Sequence, residues 1–214
     1  PGVSSDIKID LVRKEISVPN VPYSGLVGDD DIAYVSLSTF TQNAGANIRK
    51  SLSGIKKENP DLQGIILDLR GNGGGLLREA IEVSNLFIPN GLTVVSTRGK
   101  VPERNKTYLT TKVPFDIEIP LAVLINKNSA SASEIVAGTI QDYDRGVLIG
   151  QRSFGKGLVQ NTTDIGYNSR IKLTTSKYYI PSNRCIQSVE YENGEPKDIP
   201  DDKRSVFKTR NGRS

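Results

Sequence analysis

Ser129-Ala-Ser131-Ala-Ser133-Glu134 follows an apolar run and opens a stretch of helical character. Hydroxyls set among small side chains suit acyl transfer, because a substrate backbone must come close to the nucleophile. A helix start adds unpaired N–H groups and a positive dipole end, both favourable to a developing oxyanion. The amide that follows the nucleophile is one natural donor. The same residues read as an ordinary capping box, Ser131-x-x-Glu134, which ends a strand and starts a helix. The two readings are compatible, and on spacing alone three serines leave the nucleophile open. A hydroxyl also needs a base, and the chain has no histidine. That excludes a Ser–His–Asp triad, a Cys–His pair and a His-ligated metal site. Cys185 is the only cysteine, so an internal disulfide and a zinc–thiolate cluster are excluded as well. Any base must be a lysine or a carboxylate.

Gly150-Gln-Arg-Ser-Phe-Gly-Lys156-Gly157 supplies a lysine of interest. It fits G-x-x-x-x-G-K, but Gly157 stands where a phosphate-binding loop needs Ser or Thr for Mg²⁺, and a strand rather than a helix follows. On a strand, Lys156, Leu158 and Gln160 project to one face, so Gln160 can hold the lysine amine. The flanking glycines leave room, and Phe154 and Leu158 would partly desolvate the amine, favouring the neutral form a general base requires. A lysine between glycines is otherwise an ordinary exposed loop residue. Leu67-Asp-Leu-Arg-Gly71-Asn-Gly-Gly-Gly75 is the third segment of interest. A dinucleotide loop would need its third glycine at Leu76. The turn is either a tight strand-to-helix connection or one whose bare amides face the site as a second oxyanion donor. Both remain open on spacing.

These segments need elements to hold them. Residues 64–70 and 120–126 are short apolar runs, the mark of strands buried on both faces. Each leads into a small-residue turn and then a helix, over 76–88 and over about ten residues ending near Tyr143. Ala44, Ile48, Leu52 and Ile55 recur at helical spacing from Asn43 to Lys57, ahead of Pro60. Strands are predicted at 7–12, 31–40, 92–97, 146–149, 157–163 and 170–180, with a proline-punctuated connector after the first and a looser polar segment at 99–118. The pattern is α/β, a layered core with a mixed sheet flanked by helices, and in such sheets sites form where strand ends meet helix N-termini. The 214 residues suffice for one domain with a buried core. No apolar run is long enough for a membrane span. The net charge of +4 is modest. Lys203, Arg204, Lys208, Arg210 and Arg213, offset by Asp198, Asp201 and Asp202, read as a solvated face rather than a nucleic-acid site.

Together LDLRGNGGG (67–75), NSASASEI (128–135) with QDY (141–143), and FGKGLVQ (154–160) resemble the C-terminal processing, or tail-specific, serine peptidases. The resemblance runs from about residue 30 to 187 and implies a crotonase/Clp-protease-like core. It implies Ser131 as nucleophile, Lys156 as general base 25 residues on and Gln160 as its support. The oxyanion hole would draw on the amide of Ala132 and one from Gly73 or Gly74, with Glu134 closing the cap. The implied reaction is hydrolysis through an acyl-enzyme, with no metal or cofactor, on protein or peptide substrates bound through their C-terminal tails.

Such peptidases carry a PDZ domain ahead of the core that captures tails by strand addition. Residues 1–14 resemble the remnant of its last strand, and 15–214 the peptidase core, with further core expected beyond the end. KYYIPSNRCIQ (177–187) resembles a stretch of bacterial members, with Asn183 where glycine is common. A periplasmic or cell-envelope location in a bacterium follows from the same resemblance. A homo-oligomer or regulatory partner is left open. The alternatives are a catalytically silent peptide-binding relative and a nucleotide-binding α/β protein.

Overall fold

The computed structural model describes residues 8–14, 16, 18–28, 31–200 and 205–214. The expected strand at 7–12 does not form over 8–12, where the chain is irregular and exposed; Ile7 and the rest of 1–7 lie outside the described residues, as do Asp201, Asp202, Lys203 and Arg204.

Two sheets and three helices build the core. The first sheet contains β1 (Tyr23–Val27), β2 (Ile32–Ser36), β3 (Gly64–Asp68), β6 (Leu121–Ile125) and β7 (Val147–Gly150) in that spatial order. β1 is antiparallel to β2 and the other neighbours are parallel. The second sheet has the order β5 (Lys106–Leu109), β4 (Thr93–Gly99), β9 (Ser169–Tyr179), β8 (Leu158–Gly166), all antiparallel. A small hairpin, β10 (Val189–Glu192) with β11 (Glu195–Asp198), lies apart from both. Strands β1, β5, β10 and β11 were not expected. β1 falls in the proline-rich connector and β5 in the polar 99–118 segment, where tertiary pairing overrides weak local periodicity. The β10–β11 turn is Asn193-Gly194, with both residues at positive φ, an ordinary hairpin signal.

Helix α1 (Ala44–Glu58) follows its predicted stripe: Ala44, Ile48 and Leu52 are fully buried. Its N-terminus is anchored from α2 (Leu77–Ser84), because the buried Glu79 carboxylate accepts the Asn43 and Gly45 amides at 3.1 and 3.2 Å. An anion there also complements the helix dipole. The helices pack closely at Gly45, where a Cβ would stand 2.6 Å from that of Glu82. α2 is shorter than the predicted 76–88. α3 (Ala132–Asp142) is almost entirely buried and lies against β4, where Thr139 Oγ1 donates to the Val94 carbonyl.

The core is continuous through Phe40, Ile48, Leu52, Ile65, Leu67, Val123, Ile135 and Ile140. β3 and β6 lie side by side in its middle. Their C-terminal ends deliver the glycine turn and the serine segment to the same edge of the molecule.

Candidate active site

The glycine turn and the serine segment are joined by Asn72, a fully buried residue. Its Nδ2 donates to the Leu37 carbonyl (2.7 Å), and its Oδ1 accepts the Gly74 amide (2.9 Å). Its own carbonyl accepts the Ala130 amide (3.0 Å) and the Ser133 hydroxyl (2.8 Å). One asparagine therefore fixes the turn and sets the serine segment against it. Gly74 makes the contact possible. At φ +97 it adopts a conformation L side chains avoid, and a Cβ there would stand 2.7–2.9 Å from the Ala130 carbonyl, Ser131 Cβ and the Ala132 nitrogen.

The three serines, indistinguishable by spacing, have different surroundings. Ser129 is buried; its hydroxyl donates to the Leu69 carbonyl (2.8 Å) and accepts the Asn126 amide (3.0 Å). Ser133 is buried and bonded to Asn72. Ser131 is partly exposed and sits immediately ahead of α3 with φ 58 and ψ −111. That backbone lies outside the favoured regions for a residue with a Cβ and costs on the order of 1–3 kcal/mol, strain that the surrounding bonds hold in place. A strained serine on a strand–turn–helix corner is the arrangement that exposes a nucleophile.

Two amides are available beside it. Ala132 is the first residue of α3, and its N–H, without an intrahelical acceptor, is free to point at a ligand. In the turn, the Gly74 N–H is committed to Asn72. Gly73, exposed and with open space where a Cβ would be, has no such commitment.

Lys156 comes to this corner through Glu134. The buried Glu134 carboxylate accepts four bonds: Oε2 from the Ser131 amide (2.7 Å) and the Lys156 amide (2.9 Å), Oε1 from the Gly155 amide (2.6 Å) and the Ser153 hydroxyl (2.8 Å). A single oxygen atom therefore holds the backbones of Ser131 and Lys156 together. The cap role expected of Glu134 is only part of what it does.

From the other side the loop is held by 187–188. Gln187 Oε1 accepts the Gly157 amide (2.8 Å), and the Ser188 amide donates to the Gly155 carbonyl (3.1 Å). These bonds correct the expectation that Lys156 lies on a strand. The amides of residues 155–157 are taken by side chains, so the ladder starts only at Leu158. They also reassign the flanking glycines, which admit the neighbouring chain. A Cβ on Gly157 would stand 2.2 Å from the Gln187 nitrogen, and one on Gly155 would overlap the Ser188 side chain. The Lys156 and Gln160 side chains are both exposed and make no hydrogen bond to each other or to Ser131. Phe154 is 59% exposed, and its amide donates to the Ser129 carbonyl.

Two further clusters brace the site. At the end of β3, the buried Asp68 accepts the Tyr34 hydroxyl (2.5 Å) and a forked contact from Arg70 (2.7–3.0 Å). Burial alone pushes its carboxyl up, but the Arg70 and Tyr34 bonds outweigh this and hold it below the ordinary range. At the end of α3, Asp142 accepts the Ser182 amide (2.9 Å) and lies 3.6 Å from Arg184, which also donates to Gln141 (2.9 Å). There burial wins, and the Asp142 carboxyl is pushed up despite Ser182 and Arg184. The 141–143 and 177–187 motifs thus meet in space.

Asn72, Gln187 and the loop-holding role of Glu134 escaped the sequence reading. For Glu134 half the signal was present in its cap spacing. Gln187 reaches the Gly157 amide 30 residues away, and Asn72 reaches Leu37, Ala130 and Ser133 from 35 or more; only the Asn72 bond to the Gly74 amide is local.

The α/β scaffold thus presents a strained serine at a helix start, beside a glycine turn and a lysine loop. The chain belongs to peptidase family S41, whose family model matches residues 31–195. It is 40% identical over 190 residues to a carboxy-terminal-processing protease of Bartonella bacilliformis, covering 88% of this chain and 43% of that protein. A carboxyl-terminal-processing protease of Synechocystis sp. is 35% identical over 192 residues, with the same coverage of both chains. The chain thus spans less than half the length of these curated relatives. Among solved structures, the photosystem II D1 C-terminal processing protease superposes with a TM-score of 0.67 at 31% identity, over 78% of this chain and 43% of that one. The mixed α/β fold expected from the sequence is the fold of these relatives.

Proposed function

We propose that the chain is the catalytic core of a serine endopeptidase that cuts near the C-termini of protein substrates with a Ser131–Lys156 dyad. The observation that carries this is the state of Ser131: of the three serines it alone is strained and accessible, and the carboxylate that holds its amide also holds that of Lys156. The four-carbon stem of Lys156 is flexible, and catalytic contacts often tighten only when substrate is bound.

In this reading the neutral Lys156 amine takes the Ser131 proton as Oγ attacks the scissile carbonyl. The oxyanion is held by the amides of Ala132 and, because Gly74 is engaged by Asn72, of Gly73. The ammonium then protonates the leaving amine, an acyl-enzyme remains, and water activated by the same lysine releases it. Gln160 steadies the amine when substrate covers the exposed lysine. The names of the relatives support C-terminal processing, and a periplasmic or cell-envelope setting follows from the family resemblance alone. No helix among the described residues is long and apolar enough to cross a membrane. The remnant-PDZ reading of residues 1–14 belongs to the same proposal.

The test is cleavage of an unstructured reporter peptide by the full-length chain. Ser131→Ala and Lys156→Ala should each abolish turnover with the fold intact by circular dichroism. Wild-type turnover in Ser131→Ala would remove the nucleophile assignment.

A further inference from the structure

The second sheet ends on an unusually open edge. Among the described residues β8 pairs only with β9, and it is nine residues long. The opposite edge of that sheet, β5, is four residues, begins with Lys106 and follows a 3₁₀ turn containing Pro102; β7, an edge of the first sheet, is also four residues. Short strands, lysines and prolines are the usual protection against stray strand pairing. β8, Leu158-Val-Gln-Asn-Thr-Thr-Asp-Ile-Gly166, has no lysine, arginine or proline. Its residues beyond Val159 are all exposed.

The edge starts two residues after Lys156, whose backbone shares an oxygen of Glu134 with Ser131. Its backbone orientation follows from one bond: the Tyr178 amide donates to the Gly157 carbonyl (2.8 Å), so the next residue, Leu158, turns its own N–H and C=O away from β9. The extra residue of the local bulge, Thr175, lies on β9, so the alternation continues along β8 and directs Gln160 and Thr162 outward as well. The two faces flanking this edge differ in character. Thr163 and Asn161 lie opposite Ile171 and Leu173, which are 38% and 49% exposed, whereas Thr162 and Asp164 lie opposite Lys172 and Arg170.

We propose that the free edge of β8 is a rail on which an extended peptide substrate adds as a further strand, bringing its scissile bond to Ser131. The inference rests on the peptidase reading and identifies the substrate form: an unfolded segment of about eight residues, spanning roughly 30 Å. Backbone bonds would supply affinity with little regard to sequence. Alternate side chains of the segment would lie beside Asn161 and Thr163, with Ile171 and Leu173 one strand further on the same face, where long apolar residues fit. The intervening ones would lie beside Thr162 and Asp164, with Lys172 and Arg170 one strand further, where polar residues fit.

Ser131→Ala in the full-length chain serves as a non-cleaving trap. A fluorescein-labelled unstructured decapeptide with alternating apolar residues and a free C-terminus is the probe, and anisotropy gives its Kd. Methylating each backbone nitrogen of the peptide in turn should weaken binding about three- to tenfold at every second residue and leave the residues between unaffected. Thr162→Pro, which removes an outward N–H and leaves the β8–β9 ladder in place, should weaken binding by a similar factor with an unchanged Tm. No measurable binding of the decapeptide, or methylation losses without a period of two, overturns the rail. If Thr162→Pro itself unfolds, the methylation series on the otherwise unaltered trap decides alone. Cleavage by the wild type is scored separately: a two-residue period without cleavage keeps the rail and removes the chemistry, and cleavage without a period does the reverse.

Discussion

Ser131 pays for its accessibility with backbone strain. Its φ of 58 suits glycine far better than serine, because a Cβ is what makes the region costly. Ser131→Gly should therefore be more stable than Ser131→Ala by about 1 kcal/mol in chemical denaturation, since both lose the capping hydroxyl and only alanine keeps the strained Cβ. If the glycine variant is no more stable than the alanine variant, the strain assignment fails. The same comparison shows why three serines at two-residue spacing have different roles. Ser129 and Ser133 spend their hydroxyls on the carbonyls of Leu69 and Asn72, and their burial removes them from substrate.

At the scale of elements, Glu134 links α3 to the lysine loop. Four donors converge on one buried carboxylate, and each bond to a charged acceptor is worth about 1.5–3 kcal/mol. Glu134→Gln turns an NH₂ towards two of those donors, so it should release the loop while α3 persists. We expect kcat to fall at least about tenfold with KM little changed, and easier proteolytic nicking at 151–157. Unaltered kcat and nicking would mean that the bonds from 187–188 suffice to hold the loop. The loop was half legible in sequence. Its glycines and lysine were visible, but its departure from strand geometry was not, since the acceptors that capture its amides come from Glu134 and Gln187, more than 20 residues away on either side.

For the whole molecule, a distant ion pair ties the layers together. Asp116, in the segment ahead of β6, accepts the amides of Glu118 and Ile119 and the ammonium of Lys56 at the end of α1 (2.8 Å). Burial pushes its carboxyl up, but the Ile119 amide, the Lys56 ammonium and the Glu118 amide together hold it at about 2, against an ordinary 3.8. The folded value is below the unfolded one, so this contribution is fully present above pH 4 and is lost as pH falls towards 2. Thermal melts between pH 4 and 2 should show Tm falling, and Asp116→Asn should flatten that part of the profile; identical slopes would remove Asp116 as the group responsible.

The sequence by itself determined the chemistry that was available and most of the elements that carry it. The absence of histidine left lysine or a carboxylate as base. Local periodicity marked α1, β3, β6 and α3, because helical and strand spacing are properties of neighbouring residues. Only the tertiary structure decided which serine is accessible, which turn amide is free and where the lysine loop lies. Those outcomes depend on which distant carbonyl or carboxylate claims each hydrogen-bonding group, as the Leu69 and Asn72 carbonyls claim the Ser129 and Ser133 hydroxyls and Glu134 claims the Lys156 amide. Such competition for partners is settled by packing across the two sheets, and no local pattern in the chain encodes it.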